Sequence, residues 1–264
     1  MPSRRTLIAA GAVAVAAGGA AFALRPRAPV QRPPGVPVGP FGAKSTAEEV
    51  TAGLDLSGRH YLVTGANSGL GLETARVLAL RGAEVTVTGR SVEKVAAAVR
   101  GLPGRFRPVA LELTDFDSVR RCADEVAAAV PQLDGLVCNA GIMELPELEQ
   151  VRGLEKQFVT NHLGHFLLVN RLLERVVAAP QGRVVVVSSG SWRRAPPAGI
   201  EFDNLSGERG YDPAQAYGQS KLANGLFVRE LARRLAPTAA TANVVRPGVV
   251  LTNLGRHQPL KDFT

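Results

Sequence analysis

The chain has 264 residues, 45% of them hydrophobic and 20% charged, and its formal net charge at pH 7 is +8. This composition is typical of a single soluble globular domain and excludes a disordered chain or a protein with several membrane spans. The positive charge comes mostly from scattered arginines without a long basic run, so nucleic-acid binding is not expected.

The first 43 residues differ in composition from the rest and are predicted to be targeting, anchor and linker material. Arg4 and Arg5 precede an uncharged stretch from Thr6 to Leu24, which a tract rich in proline and arginine follows. The stretch fits a twin-arginine export signal, with cleavage near Ala21-Phe22-Ala23, or an uncleaved anchor long enough for membrane association. Basic residues flank both ends, so the positive-inside rule does not choose an orientation. We expect the domain, residues 44–264, to be exported or membrane-anchored, with a cytoplasmic location as the alternative.

Short β-branched runs and longer helical patterns alternate from His60 onward, which is typical of repeated βαβ units. The predicted strands are Tyr61 to Thr64, Glu84 to Thr88, Pro108 to Leu113, Gly135 to Cys138, Arg183 to Ser188 and Ala242 to Val245. The predicted helices are Leu70 to Arg81, Ser91 to Arg100, Asp115 to Val130, Gly153 to Val177 and Pro213 to Leu235. Right-handed crossovers then predict a doubly wound α/β fold, Rossmann-like, with a parallel sheet of order 3-2-1-4-5-6.

The two cysteines fall in different predicted elements. Cys122 lies in a helix and Cys138 at the end of a buried strand, so we expect no disulfide between them. No spacing in the sequence is typical of metal ligands, and no metal site is expected.

The first predicted strand leads directly into Thr64-Gly65-Ala66-Asn67-Ser68-Gly69-Leu70-Gly71, where a helix begins. Glycine lets the backbone turn sharply and approach a pyrophosphate, and the start of a helix offers free N–H groups and a positive dipole end to that anion. A tight strand-to-helix turn without a ligand is the alternative that this segment leaves open.

The end of the second predicted strand indicates which dinucleotide is preferred. An acidic side chain here would accept hydrogen bonds from the ribose of NAD, but Thr88-Gly89-Arg90-Ser91 contains none. The guanidinium of Arg90 can bind a 2'-phosphate, so NADP(H) is expected in preference to NAD(H). The alternative is that Arg90 is a solvated loop residue.

Tyr217 and Lys221 are four residues apart in a predicted helix, so both side chains can point into one cleft. A free tyrosine titrates at about 10, and a neighbouring cation stabilises its phenolate. We therefore expect Lys221 to lower the pKa of Tyr217 toward the range useful for acid–base catalysis.

Several segments, taken in chain order over about residues 45 to 256, resemble the short-chain dehydrogenase/reductase family. Thr64 to Gly71 is similar to its glycine motif, and Asn139-Ala140-Gly141 to its Asn-Ala-Gly segment. The catalytic tetrad of the family corresponds to Asn161, Ser189, Tyr217 and Lys221, and its Pro-Gly turn to Arg246-Pro247-Gly248. The segment Ala47 to Val50, the long insert between Ser189 and Tyr217, and the residues around Lys221 resemble the retinol-dehydrogenase-like branch.

The resemblance implies a role for each of these residues. Tyr217 would be the general acid in carbonyl reduction and the base in alcohol oxidation, while Lys221 holds the nicotinamide ribose. Ser189, rather than Ser188, would polarise the substrate oxygen, and Asn161 would support a proton-relay water. The residues expected to bind the cofactor are Gly65, Asn67, Ser68, Gly69, Leu70, Gly71, Arg90, Glu112, Leu113, Asn139, Ala140, Gly141, Tyr217, Lys221, Pro247, Gly248, Val250 and Thr252.

Two features depart from the family pattern. Glu112 stands where an aspartate usually contacts the adenine, and the sequence ends soon after the sixth predicted strand, so a seventh strand is not expected. The expected function is hydride transfer between NADP(H) and a lipophilic carbonyl or alcohol, such as an aldehyde, a retinoid-like compound or a ketone. The alternative is a catalytically idle NADP(H)-binding sensor or scaffold. A homo-oligomer is compatible with either function.

Overall fold

A computed structural model of the chain describes residues 39–42, 44–248, 250 and 254. Every helix and strand given below lies in the unit Ser45–Thr264. The predicted export signal or anchor, residues 6–24, lies outside the described residues. Among the residues described, no helix combines the length and hydrophobicity that a membrane crossing requires. The predicted domain boundary after residue 43 stays a prediction.

Six parallel strands form one sheet: β1 (His60–Thr64), β2 (Glu84–Gly89), β3 (Arg105–Ala110), β4 (Gly135–Cys138), β7 (Arg183–Val187) and β8 (Thr241–Val245). Their order across the sheet is β3-β2-β1-β4-β7-β8. The predicted α/β class and strand order are confirmed, since the fifth and sixth predicted strands are β7 and β8. Whether a seventh strand exists depends in part on residues 249, 251–253 and 255–264, which lie outside the described residues.

The third strand begins earlier than the sequence pattern predicts. Pro108 lies in the middle of β3, and Leu111 to Leu113 continue past its end. Because β3 pairs only with β2, it is an edge strand of the described sheet, where a residue without an N–H group is tolerated. The charged residues Arg105 and Arg107 belong to this edge, which is why the segment does not look like a buried strand.

The helices agree with prediction to within a few residues at each end. They are α1 (Ala47–Val50), α2 (Gly69–Leu80), α3 (Val92–Val99), α4 (Phe116–Ala129), α5 and α6 (Pro213–Leu235). Helix α5 comprises Lys156–Phe158, a π-helical turn Val159–Leu163, and Gly164–Ala178. The side chains of Ser91 and Asp115 cap α3 and α4 by accepting hydrogen bonds from the backbone N–H groups of Lys94 and Asp117.

Helices pack on both faces of the sheet, as the alternation of side chains along β1 illustrates. Leu62 belongs to a core cluster that includes residues of α4 and α5, and Val63 to a second cluster with residues of α2 and α3. Both cysteines are free and buried, and burial raises the pKa of each thiol to about 12.

A short antiparallel hairpin precedes α5 where the sequence predicts helix. Its strands are β5 (Gln150–Val151) and β6 (Leu154–Glu155), and Arg152 and Gly153 both have positive φ, at 54° and 76°. Two central residues with positive φ are typical of a type I′ hairpin turn. The predicted helix start at Gly153 is therefore wrong, because Gly153 forms this turn.

Candidate functional site

Strands β1, β4 and β7 are neighbours in the sheet and end at the same edge. The glycine turn follows β1, the Asn139 to Gly141 segment follows β4, and Ser188 and Ser189 follow β7. The carboxyl ends of adjacent parallel strands are where doubly wound folds bind ligands. The structure therefore brings the three segments to one place.

The glycine turn is packed so tightly that two of its glycines cannot carry a side chain. Gly65 has φ of 66°, and a Cβ there would lie 2.9 Å from the Cα and Cβ atoms of Ala140. A Cβ at Gly71 would overlap the carbonyl oxygen of Gly65 and lie 2.5 Å from Nδ2 of Asn139. The turn thus holds the start of α2 directly against the segment after β4.

The N-terminus of α2 fits an anionic group. Ser68 occupies the N-cap position but its side chain makes no capping hydrogen bond, whereas side chains cap α3, α4 and α6. The first N–H groups of a helix have no partner within the helix, and the helix dipole favours negative charge there. The pyrophosphate of a dinucleotide fits this position between the turn and the helix.

The segment after β4 supports the turn from the other side. The side-chain amide of Asn139 donates to the carbonyl oxygen of Thr64 at 2.9 Å, and the backbone N–H groups of Asn139 and Ala140 donate to the Thr64 hydroxyl at 2.9 and 3.0 Å. The Asn139 amide, expected to bind the cofactor, therefore holds the glycine turn in this structure. Gly141 lies deeper in the cleft, where a Cβ would be 3.1 Å from Oδ1 of Asn161.

At the end of β2, Arg90 is exposed and makes no hydrogen bond or ion pair with the residues that the structure describes. The buried hydroxyl of Thr88 also has no protein partner among them. Arg90, being exposed, suits a ligand on this side of the glycine turn, where a Cβ at Gly89 would lie 3.9 Å from Oδ1 of Asn67. The surroundings of Arg90 are consistent with binding of an anion such as a 2'-phosphate.

After β3, the polar groups of Glu112 have protein partners. Its carboxylate accepts hydrogen bonds from the N–H and hydroxyl groups of Thr114, at 3.0 and 2.8 Å. Leu113 is buried in the core, and its carbonyl oxygen packs against Gly164 at the start of the main part of α5. An adenine contact by either residue stays a prediction.

Asn161 lies in the π-helical turn of α5 and is fully buried. Its Oδ1 accepts from the N–H group of Ile142 at 2.9 Å, and its Nδ2 donates to the carbonyl oxygen of Ile142 and to Oγ of Ser220, both at 3.0 Å. The side chain therefore ties the segment after β4 to helix α6, directly behind the cleft.

His165 completes a buried connection that the sequence analysis did not identify. The Thr64 hydroxyl oxygen accepts hydrogen bonds from the backbone N–H groups of Asn139 and Ala140. Its own proton is therefore free to be donated to Nε2 of His165, which lies 2.9 Å away. The Nδ1–H group of the imidazole then donates to the backbone carbonyl oxygen of Asn161, at 3.1 Å. One imidazole thus links the glycine turn to the π-helical turn, over 101 residues of sequence.

The two serines after β7 have different surroundings. Ser188 is buried, and its hydroxyl donates to the backbone carbonyl oxygen of Lys221 at 2.9 Å. Ser189 lines the cleft, its hydroxyl donates to the hydroxyl of Ser191 at 3.2 Å, and it lies near enough to Tyr217 to lower the pKa of the phenol. The structure thus places Ser189, the serine that the family resemblance favours, beside the phenol.

Tyr217 and Lys221 lie one turn apart on α6, and both are buried. The Lys221 ammonium donates to the carbonyl oxygen of Val187 at 3.1 Å and lies over the Tyr217 ring, 5.5 Å from its centroid. The pair closes the inner end of the cleft beside Ser189.

The expectation that Lys221 lowers the pKa of Tyr217 is wrong for this structure. Burial raises the pKa of Tyr217 to about 12, and although the hydrogen bond with Ser189 opposes the shift, the charge of Glu144 adds to it. Burial also lowers the pKa of Lys221 to about 8. The ammonium lies over the ring rather than at the phenolic oxygen, and Lys221 is not among the groups that shift the pKa of Tyr217.

The segment after β8 reaches the cavity at Arg246, which lines it together with Ser189 and Lys221. Pro247, Gly248 and Val250 are exposed, and Gly248 has φ of 85°. Thr252 lies outside the described residues, so its expected contact with the cofactor stays a prediction. A cavity of about 280 Å³ lies beside Ser189 and Lys221; its apolar lining includes Trp192, Leu222, Leu226 and Val244.

Comparison with known proteins agrees with this architecture. The short chain dehydrogenase family model matches residues 59–261. The chain therefore belongs to the short-chain dehydrogenase family.

Within that family the chain is similar to retinol dehydrogenases. It is 41% identical over 220 residues to human retinol dehydrogenase 14, covering 76% of this chain but only 65% of that relative's length. Among solved structures, an uncharacterized protein from Mycobacterium paratuberculosis is 42% identical with a TM-score of 0.67, covering 77% of this chain and 73% of the other. A metagenomic short-chain oxidoreductase in complex with NADP is 28% identical with a TM-score of 0.59, covering 74% of this chain and 83% of the other.

Proposed function

We propose that this protein is an oxidoreductase that transfers a hydride between NADP(H) and a lipophilic carbonyl or alcohol. The observation that carries the proposal is the convergence of Ser189, Tyr217 and Lys221 at the sheet edge that also holds the glycine turn. A protein that only binds a dinucleotide has no need of a buried phenol beside a hydroxyl and an ammonium group.

The glycine turn and the uncapped start of α2 would hold the pyrophosphate, and Arg90 would bind the 2'-phosphate. When bound, the nicotinamide supplies or accepts the hydride. Similarity to a structure in complex with NADP supports this cofactor, and the guanidinium of Arg90, which has no partner among the described residues, favours NADP(H) over NAD(H). The turn at Pro247 and Gly248 would close the nicotinamide end.

Tyr217 moves the proton. With a pKa raised to about 12, its phenol stays protonated at neutral pH and can donate to the oxygen of a carbonyl that is being reduced. Ser189, which lies near the phenol, orients the same oxygen by donating to it. Alcohol oxidation needs the phenolate and is therefore favoured only at higher pH. The water relay that the family resemblance implies for Asn161 remains part of the proposal.

The substrate would lie in the apolar cavity beside Ser189, against Trp192 and Leu226. Such a lining favours aldehydes and ketones with hydrophobic substituents over small polar metabolites. The names of the retinol dehydrogenase relatives agree with that class.

We also propose that residues 6–24 direct this domain to a membrane or through export, as the sequence pattern indicates. The test is protease protection in spheroplasts of the producing cell. A domain digested without lysis supports export, whereas digestion only after lysis contradicts it and leaves an inward-facing anchor or a cytoplasmic protein, which membrane fractionation separates. Cross-linking in the same cells addresses the proposed homo-oligomer.

The decisive experiment for function uses the purified full chain. NADPH and NADH are titrated by nicotinamide fluorescence, and a panel of lipophilic aldehydes and ketones is followed at the nicotinamide absorbance. Tight NADPH binding with turnover is the expected result. Binding without turnover on any substrate would refute the oxidoreductase and favour an idle NADP(H)-binding sensor or scaffold.

A further inference from the structure

Gly218 directly follows Tyr217 in α6, at a position where glycine needs a physical reason. Glycine destabilises the interior of a helix relative to alanine, because it loses more backbone freedom on folding. Gly218 lies within the regular helix and does not have a positive φ, so the backbone conformation does not require a glycine here. The residue is buried, and the reason is a close approach of another part of the chain.

The part of the chain that approaches Gly218 is the segment after β7. A 3₁₀ helix, Gly190–Arg194, begins there with Ser189 at its N-cap. A Cβ at Gly218 would lie 2.6 Å from the carbonyl oxygen of Ser191 and 2.7 Å from the backbone nitrogen of Ala195. Both are backbone atoms, so no side-chain rotation could make room. An alanine at this position would therefore force the two backbones apart by roughly half an ångström or more.

Ser191, whose carbonyl oxygen meets Gly218, also holds the hydroxyl of Ser189. The backbone N–H group of Ser191 donates to Oγ of Ser189 at 3.2 Å. The hydroxyl of Ser189 in turn donates to Oγ of Ser191, also at 3.2 Å. Because both bonds belong to the first turn of the 3₁₀ helix, a displacement of Ser191 away from α6 would carry the Ser189 hydroxyl with it.

Ser189 thus lies between two points at which its segment is attached to α6. Before it, the hydroxyl of Ser188 donates to the backbone carbonyl oxygen of Lys221 at 2.9 Å. After it, the backbone of Ser191 lies against Gly218. The second point is next to the residue that carries the phenol, so the closeness of this contact fixes how far the Ser189 hydroxyl lies from the phenol.

We propose that Gly218 is a positioning residue: without a side chain, it lets the segment after β7 lie directly on α6 and so sets the spacing of the Ser189 and Tyr217 hydroxyls around the substrate oxygen. The inference rests on the proposed function and adds a residue to it. Groups that act on one reacting atom must be held to within about 0.5 Å, and a misplacement of about 1 Å can lower the rate about a hundredfold. A displacement of roughly half that size is expected to lower kcat about tenfold.

The test is a double-mutant cycle of Gly218→Ala with Ser189→Ala in the full chain. The kcat for reduction of nonanal by NADPH is measured for the wild type, both single variants and the double variant. Gly218→Ala is expected to lower kcat about tenfold where Ser189 is present and to have little further effect in Ser189→Ala, because no hydroxyl remains to be misplaced. Crystal structures of the wild type and Gly218→Ala give a readout without turnover: the distance between the hydroxyl oxygens of Ser189 and Tyr217 should change by roughly half an ångström.

Gly182→Ala is the matched control. A Cβ at Gly182 would also overlap a backbone carbonyl oxygen, that of Val176, but Gly182 precedes β7 and so lies at the opposite end of the sheet from the site. This variant should lower the free energy of unfolding in urea without lowering kcat. An equal drop of kcat in Gly182→Ala would show that any such overlap impairs the enzyme and would overturn the inference.

Equal losses of kcat from Gly218→Ala in the two backgrounds, or an unchanged distance between the two hydroxyls, would also overturn it. If Gly218→Ala does not fold, Ser191→Ala tests the same connection, because it removes the acceptor of the Ser189 hydroxyl and leaves the backbone contact intact. It should lower kcat about threefold only where Ser189 is present, and an unchanged kcat would contradict the inference. A wild type without turnover would contradict the proposed reaction, and the distance between the hydroxyls would then still decide whether Gly218 sets their spacing.

Discussion

We expect the free energy of unfolding to fall in acid because of one buried imidazole, that of His165. His165 is fully buried, accepts from the Thr64 hydroxyl and donates to the backbone of Asn161. Burial lowers its pKa from 6.5 to about 4. Protonation would place a charge in the core and remove the acceptor of the Thr64 hydroxyl, so the folded state resists it.

The sign and size follow from proton linkage. Between pH 7 and pH 5 the unfolded chain protonates this imidazole while the folded chain does not, so the stability present above pH 6.5 is lost as the pH falls toward 4. The difference between the two pKa values corresponds to a loss of roughly 2 kcal/mol between pH 7 and pH 5. With a urea dependence of about 2 kcal/mol/M, the unfolding midpoint falls by about 1 M.

Urea unfolding of the wild type and of His165→Gln at pH 7 and pH 5 measures this contribution. The variant is expected to be less stable at pH 7 but to lose about 2 kcal/mol less between the two values. His162, whose pKa burial also lowers, and Glu155, whose pKa burial raises, are present in both proteins and cancel. His162→Gln is the control and should keep the loss due to His165. The same pH dependence in the wild type and His165→Gln would refute the reasoning.

Three further substitutions test the site, each against the wild type. Tyr217→Phe should abolish turnover and leave NADPH binding within about twofold by fluorescence, because only the proton donor is lost. Gly71→Ala should weaken NADPH binding and cost about 2 kcal/mol in urea, since its Cβ meets Asn139; Gly225→Ala, with open space around it, should not destabilise α6. Arg90→Gln should raise KM for NADPH about tenfold and leave that for NADH unchanged. Unchanged values in these assays would contradict the corresponding role.

The parallel sheet could be predicted because its inner strands consist almost entirely of apolar and β-branched residues. Arg183 to Val187 and Glu84 to Thr88 are β-branched runs that a sheet covered on both faces requires, and each is followed by a helical pattern. The edge strand β3 gives a weaker signal, since Arg105 and Arg107 flank its only aromatic residue and a proline follows. The β5–β6 hairpin was missed for a different reason: Arg152-Gly153 is not among the residue pairs that favour such a turn.

The parts of the site that follow the chain locally were also predictable. The spacing of Tyr217 and Lys221 places them on one face of α6, and the glycine turn directly follows β1. No local pattern could reveal that His165 meets Thr64, because 101 residues separate them and only the packed fold brings them together.

The direction of the pKa shift of Tyr217 depends on the balance of two effects that a sequence cannot weigh. A cation four residues away favours the phenolate, but the same helix face that brings Lys221 near also buries both groups. Desolvation acts on each charged form separately, raising the pKa of the phenol and lowering that of the amine. The result is a phenol that keeps its proton at neutral pH, which suits donation to a carbonyl better than removal of a proton from an alcohol.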